Sequence, residues 1–198
     1  MTDLVILNWS EHLAQLPELR SQLTDDEVTE LSLRRHADRS LMSRGLLRKF
    51  LSERLPGQKL DLVKNENGKL FLKNSQLNFS IAHSGNWMAF AFHPSKKIGV
   101  DLETWDRADQ ILRFAPRYFK KPENNYIQKD PNQISERALQ IWTCKEAWLK
   151  ALGTTVFAAL EHQEIPLTLG GKIDSSTVTF EHRVEPQSYY LTVATTND

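Results

Sequence analysis

Residues 142–152 read WTCKEAWLKAL, and about 40 residues earlier stands IGVDLE at 98–103. Together they hold three carboxylates, Asp101, Glu103 and Glu146, with Lys150 one helical turn beyond the last. Three hard oxygen ligands suit a divalent cation, and a cation with a lysine beside it suits a phosphate ester. Alternate side chains of a strand share a face, so Asp101 and Glu103 point one way with Gly99, while Val100 and Leu102 point into a core. Two carboxylates on one face repel unless a cation lies between them, and Mg2+, commonly shared with substrate phosphates, meets that need. Gly99 would let a ligand approach the backbone closely. The plain alternative is a strand end whose two acids face water.

The second segment has helical spacing. Ile141, Cys144, Trp148, Ala151 and Leu152 fall on one apolar stripe, and Glu146 and Lys150 lie opposite with Thr143, bordered by Leu139, Trp142 and Gly153. A charged pair bordered by leucine and tryptophan points to a helix buried on both sides, where each charge requires a partner. The plain alternative is an exposed i,i+4 pair worth a few tenths of a kcal/mol. Upstream, SIAHSG at 80–85 is expected to leave a strand and turn, presenting His83 and Ser84 to a phosphate while Gly85 frees backbone N–H groups. A structural histidine in a turn is the competing reading. Arg39, Arg44 and Arg48 share one helical stretch, and Lys64 and Lys69 flank Asn67-Gly68. They offer a local anion site, or ordinary surface salt bridges.

These groups need positioning, and the remaining sequence predicts the elements that do it. A strand is expected at 4–9. Thr24-Asp-Asp-Glu27 has the form of a capping box opening helical sequence that runs, with a break near His36–Asp38, to Leu55, where Pro56-Gly57 stops it. Asn67-Gly68 between Leu60–Val63 and Leu70–Leu72 predicts a type I′ hairpin. Strands follow at Leu77–Ile81, Met88–Phe92 and Ile98–Glu103, the second half-buried by its alternation of large residues with Ala89 and Ala91. Helices are expected near 108–115, after Lys121-Pro122, and from about 134 to 152. Two hairpins close the chain, Ile165–Leu169 turning at Gly170-Gly171, and Thr177–Glu181 pairing with Tyr189–Ala194. Helices followed by strands in each half predict a two-lobed α+β fold.

Composition limits the function. With 198 residues, 40% of them apolar, the chain can bury a real core. Twenty-five basic and 25 acidic side chains balance, so no global field draws it to nucleic acid or an anionic membrane. A single cysteine, Cys144, fits a reducing compartment. MTDLVILNWSEH has no basic flank and only a short apolar run, so it is not read as a signal peptide, and no run approaches a membrane span. A cytoplasmic protein is expected.

LNFSIAHSG, IGVDLE and WTCKEAWLKALG, in this order, resemble the signatures of 4′-phosphopantetheinyl transferases of the surfactin-synthetase-activating type. ADRSLMSRGLLRKFL, NENGKL and RYFKKPE resemble that family's Arg-rich helix, Gly-Lys hairpin and the segment after its acidic strand. The resemblance implies a cytoplasmic monomer of two similar, pseudo-twofold-related α+β lobes, residues 1–102 and 103–198, each with helices on a mainly antiparallel sheet. It implies coenzyme A as substrate and Mg2+, or Mn2+, held by Asp101, Glu103 and Glu146. Arg39, Arg44, Lys64, Lys69, His83 and Ser84 would contact the cofactor, and Glu123, Glu146 and Lys150 would be catalytic. The implied reaction moves phosphopantetheine to a serine of an apo acyl or peptidyl carrier protein and releases adenosine 3′,5′-bisphosphate. A Mg2+-dependent phosphoester hydrolase and a non-catalytic coenzyme A-binding protein are the alternatives.

Overall fold

The computed structural model describes residues 1–154, 172–174 (backbone) and 177–197. The hairpin expected at Ile165–Leu169 with its turn at Gly170-Gly171 lies outside them. The fold is α+β with antiparallel sheets. Cα packing separates two compact units, Leu7–Leu62, and Met1–Ile6 with Val63–Asp198.

Before the helices of the first unit comes strand β1 (Asp3–Asn8), most of which belongs to the other unit. The unit itself is helical: α1 (Leu16–Ser21), α2 (Asp25–Ser32) and α3 (Ala37–Arg54). Thr24 and Glu27 form the expected reciprocal cap, Glu27 N–H donating to Thr24 Oγ1 at 3.2 Å and Thr24 N–H to Glu27 Oε2 at 3.1 Å. The helical stretch does break, but between Ser32 and Ala37, a few residues before the expected His36–Asp38. It stops at Leu55, before Pro56 and the left-handed Gly57. A Cβ on Gly45 would stand 2.6 Å from Leu19 Cβ, so α1 and α3 meet at backbone distance only because this position carries no side chain.

The second unit holds β2 (Leu62–Lys64) and β3 (Leu70–Leu72), then β4 (Asn78–Ser84), β5 (Trp87–His93) and β6 (Ile98–Thr104). Helices α4 (Ala108–Tyr118), α5 (Lys121–Gln128) and α6 (Ile134–Leu152) follow, then β7 (Lys172–Asp174), β8 (Val178–Glu185) and β9 (Tyr189–Thr196). Among the described residues the sheets run β1-β5-β4, β2-β3 and β6-β9-β8-β7.

The β2–β3 turn differs from the type I′ expectation. Gly68 N–H donates to Asn65 O, centring the turn on Glu66-Asn67, and Gly68 alone has positive φ (+82°). That is a type I turn closed by a left-handed glycine, the three-residue alternative to I′. The turn expected after Ile81 also comes later. His83 and Ser84 are the last residues of β4, and Gly85 supplies the positive φ of a two-residue β4–β5 turn. β5, read as half-buried, is buried on both faces, Met88, Phe90 and Phe92 on one side and Ala89 and Ala91 on the other. Its central place in the β1-β5-β4 sheet explains why.

One face of β6 packs Ile98, Val100 and Leu102 with Ala82, Ala89 and Ala91 and with Leu191 and Val193 of β9. Beside it, β4 replaces a backbone ladder with hydroxyls: Ser80 Oγ accepts from Val100 N–H at 3.0 Å and Ser84 Oγ from Thr104 N–H at 3.2 Å. The opposite face of β6, bearing Gly99, Asp101 and Glu103, receives α6. A Cβ on Gly99 would fall 1.8 Å from Ala147 O and 2.5 Å from Ala151 N. The glycine expected to admit a ligand admits a helix instead.

That same sheet face carries a buried polar row. Thr143 Oγ1 of α6 lies 2.7 Å from Thr192 Oγ1, which lies 3.0 Å from His182 Nδ1. Burial depresses the His182 imidazole to about 4, so the folded chain keeps it neutral where the unfolded chain would protonate it. Its contribution to stability is therefore complete above pH 6.5 and is lost as pH falls from 6.5 toward 4, by roughly 3 kcal/mol at the lower end. Thermal melts of His182→Gln should show a shallower loss over that window than the parent chain. Parallel profiles would contradict the assignment.

Candidate active site

Glu146 and Lys150 sit one turn apart on α6, directly over the β6 face that carries Asp101 and Glu103. Lys150 Nζ donates to Asp101 Oδ1 at 2.7 Å. Asp101 is buried, and its second oxygen, Oδ2, has no hydrogen-bond partner. Burial pushes the Asp101 carboxyl up, the Lys150 ammonium pulls it back, and the charges of Glu146 and Glu103 push it up again. Glu146 is likewise raised, by burial first and by Glu103, against the pull of Lys150. Burial lowers Lys150, but the carboxylates of Asp101, Glu146 and Glu103 outweigh it and hold the ammonium above its ordinary value. The three acids and the lysine thus act on one another's charge, as the spacing of the two motifs predicts.

Glu103 is oriented from three sides. Ser84 Oγ donates to its Oε2 at 2.7 Å, Arg107 Nε approaches the same oxygen at 3.3 Å, and Trp142 Nε1 donates to Oε1 at 3.3 Å. Ser84, expected to contact cofactor, is buried here and spends its hydroxyl on Glu103 and Thr104. Trp142, which marks α6 as more than a wet helix in the sequence, reaches the acidic strand directly.

Among the described residues no group of three or more His, Cys, Asp and Glu side chains is arranged to hold a metal ion. The donor chemistry nonetheless fits one. The acids offer only hard oxygens, and Asp101 Oδ2 is a buried acceptor without a donor, a costly arrangement unless something positive meets it.

The other candidate residues take different positions. Lys69 Nζ donates to Ile98 O, Lys150 O and Ala151 O. His83 and Lys64 are exposed at the ends of β4 and β2. Arg39, in the helical unit, lines a cavity of about 420 Å³ with Arg35, His36 and Asp38. Arg44 is buried against Glu27 at 2.6 Å, and Arg48 holds the other oxygen of the same carboxylate at 2.7 Å. Burial alone would raise Glu27, but the hydrogen bonds from Arg48 and Arg44 overcome it and lower its pKa.

Glu123 is wholly buried. Its Oε1 lies 2.8 Å from Lys145 Nζ, itself 1% exposed, and its Oε2 accepts from Lys120 N–H at 2.7 Å at the start of α5. Lys145 is a residue that sequence reasoning missed, although the signal was there. It lies four residues after Ile141 and three before Trp148, inside the apolar stripe, so its charge had to find a buried partner. Lys145→Met would take the ammonium away from the buried Glu123 carboxylate and should cost about 3–5 kcal/mol, measured by denaturant unfolding. A loss below about 1 kcal/mol would show that the pair is not structural.

A second concavity, about 290 Å³, opens beside Lys150 and is lined by Gly68, Phe79, Ser80, Ile81, Gly153 and Thr154 among others. Lys150 bonds Asp101 with its ammonium, keeps 32% of its side chain exposed and lines this cavity.

An acidic strand and a lysine-bearing helix thus meet beside an open cavity, in a segment that known proteins share. Residues 97–194 match the family described as the 4′-phosphopantetheinyl transferase superfamily. The chain is 34% identical over 167 residues to 4′-phosphopantetheinyl transferase HetI of Nostoc sp. (strain PCC 7120 / SAG 25.82 / UTEX 2576), covering 78% of this chain and 69% of that protein. It is 29% identical to 4′-phosphopantetheinyl transferase gsp of Aneurinibacillus migulanus, over 78% of this chain and 63% of that protein. To 4′-phosphopantetheinyl transferase Sfp of Bacillus subtilis (strain 168) it is 28% identical, over 69% of this chain and 62% of that protein. The chain belongs to the 4′-phosphopantetheinyl transferase superfamily. It spans a little over two thirds of the Nostoc relative and less than two thirds of the other two. Among the described residues no helix is long and apolar enough to cross a membrane.

Proposed function

We propose that this chain transfers the 4′-phosphopantetheine group of coenzyme A to a serine of an apo acyl or peptidyl carrier protein in the cytoplasm, releasing adenosine 3′,5′-bisphosphate. The observation that carries the reading is the meeting of Asp101, Glu103, Glu146 and Lys150 within the family-matched segment. Asp101, Glu103 and Glu146 would hold Mg2+ or Mn2+, which when bound supplies neutralising charge to a diphosphate.

The protein's own groups do the rest. Ser84, Arg107 and Trp142 lock Glu103 in one orientation, so it needs no reorganisation when substrate arrives. Lys150, held protonated by the acids, contributes positive charge to the departing phosphate oxygens more readily than it gives up a proton. The open cavity beside it, which Lys150 lines, would receive the phosphate end of coenzyme A. Lys64 and His83, exposed on the unit that carries the acids, are further groups offered to the cofactor's phosphates. Glu123 acts through its buried pair with Lys145, setting α5 against the helix that carries Glu146.

The test is the mass of an apo carrier protein after incubation with this chain, coenzyme A and Mg2+. A gain of one phosphopantetheine on the serine is expected with at least one carrier of a panel. Cleavage of coenzyme A with no carrier modified would instead identify a hydrolase and contradict the reading.

A further inference from the structure

The Asn65–Lys69 turn and the end of α6 are joined by more hydrogen bonds than a passing contact requires. Asn65 Nδ2 donates to Gly153 O at 2.9 Å and Asn67 Nδ2 donates to the same carbonyl at 3.1 Å. Asn65 uses its Oδ1 inward, accepting from Asn67 N–H at 3.0 Å and Lys69 N–H at 2.8 Å, so the loop that aims these amides is itself fixed. Lys69 Nζ then donates to Lys150 O and, at 3.2 Å, to Ala151 O, both in the last turn of α6. Its third acceptor, Ile98 O at 3.3 Å, opens β6.

An ammonium has three donors, and three carbonyls face this one. The last carbonyls of a helix lack intrahelical partners and carry its negative dipole end, so a cation there is doubly favoured. Gly153 completes the arrangement. Its left-handed φ of +72° turns the chain, and a Cβ on it would crowd Asn65 Nδ2 at 3.1 Å and Lys69 Cδ at 3.3 Å.

We infer that Lys69 is a positioning residue for transfer: with Asn65 and Asn67 it clamps the end of α6 to the start of β6, and so fixes Lys150 and Glu146 over Asp101 and Glu103. The inference rests on the transferase reading; although Lys69 lines the cavity beside Lys150, its ammonium is assigned to the three carbonyls rather than to a phosphate. The clamp acts on backbone, including the carbonyl of Lys150 itself, so its loss displaces reacting groups without removing any of them.

Steady-state kinetics on the full chain separate the two roles. Lys69→Met should lower kcat about 10- to 100-fold while KM for coenzyme A stays within about threefold, because misplacement costs rate rather than affinity. Lys69→Arg, which can still donate to several carbonyls, should recover part of the kcat. Asn65→Ala/Asn67→Ala should show the same kcat lesion in milder form, and it is the readout if Lys69→Met does not fold. A rise in KM with kcat preserved would make Lys69 a phosphate ligand and overturn the inference, as would unchanged kinetics in both variants. Hydrogen exchange of amides 149–154 reads the clamp without turnover: faster exchange in Lys69→Met is expected, and unchanged exchange overturns the clamp. A parent chain that modifies no carrier, yet shows this exchange difference, would fail the transferase reading alone.

Discussion

Glu146→Ala is expected to reduce phosphopantetheine transfer about 10³-fold or more, the scale of removing a preorganised electrostatic contact at a reacting phosphate. Its stability should not fall with its activity. The Glu146 carboxyl is raised by burial and by the charge of Glu103, so in the resting fold its negative charge is a cost that Lys150 only partly offsets. Removing it also relieves Asp101, which Glu146 pushes up. Thermal unfolding of the variant at pH 7 should therefore match or exceed that of the parent chain. Carrier modification and a thermal melt on the same preparation give both quantities. Retained turnover would reject a role for Glu146 in the reaction, and lost turnover with a collapsed melting temperature would make the residue structural.

Gly99→Ala is expected to be the most damaging glycine-to-alanine change among the described residues. The added carbon would lie 1.8 Å from Ala147 O and 2.5 Å from Ala151 N, both helix backbone, so neither neighbour can rotate away. Either α6 lifts from β6 or β6 bends, and the interface of Ile141, Cys144, Ala147 and Ala151 with Tyr190 and Ala194 opens with it. A destabilisation of about 3 kcal/mol or more is expected by denaturant unfolding, at or beyond the upper range for overpacking. Whatever fraction folds should transfer poorly, because Asp101 sits two residues along the same strand. Near-parental stability would mean that α6 does not rest on this glycine.

Much of this architecture is legible in local sequence because it has local causes. The Thr24–Glu27 box, the stop at Pro56-Gly57 and the span of α6 depend on neighbours a few residues away, and they appear where the spacing puts them. Asp101 and Glu103 on the face opposite Val100 and Leu102 follow from strand geometry alone. Other features depend on what arrives from elsewhere in the chain. Nothing within IGVDLE distinguishes a glycine that admits a ligand from one that admits a helix, and only the packed α6 decides it. The lysine of the Gly-Lys hairpin reads as a phosphate contact until its ammonium is found among three carbonyls, two of them more than 80 residues away. Ser84 is similar: a hydroxyl beside a histidine looks available, yet Glu103 claims it across two strands.

Lys145 teaches the reverse lesson. The helical stripe already held a charge among apolar residues, and the cost of leaving it unpaired implied a buried acid, which Glu123 supplies. Counting charges on the apolar face, as well as on the polar one, would have found the pair.

At the centre is one proposal: the acids of β6 and the acid of α6 serve a common divalent cation. Titration with Mn2+, followed by its electron paramagnetic resonance signal in the presence of coenzyme A, reads this without any turnover. The parent chain should quench the free-ion signal by binding close to one Mn2+, and Asp101→Asn and Glu146→Ala should each weaken that binding severalfold or more. Equal Mn2+ affinity in all three proteins would contradict the account.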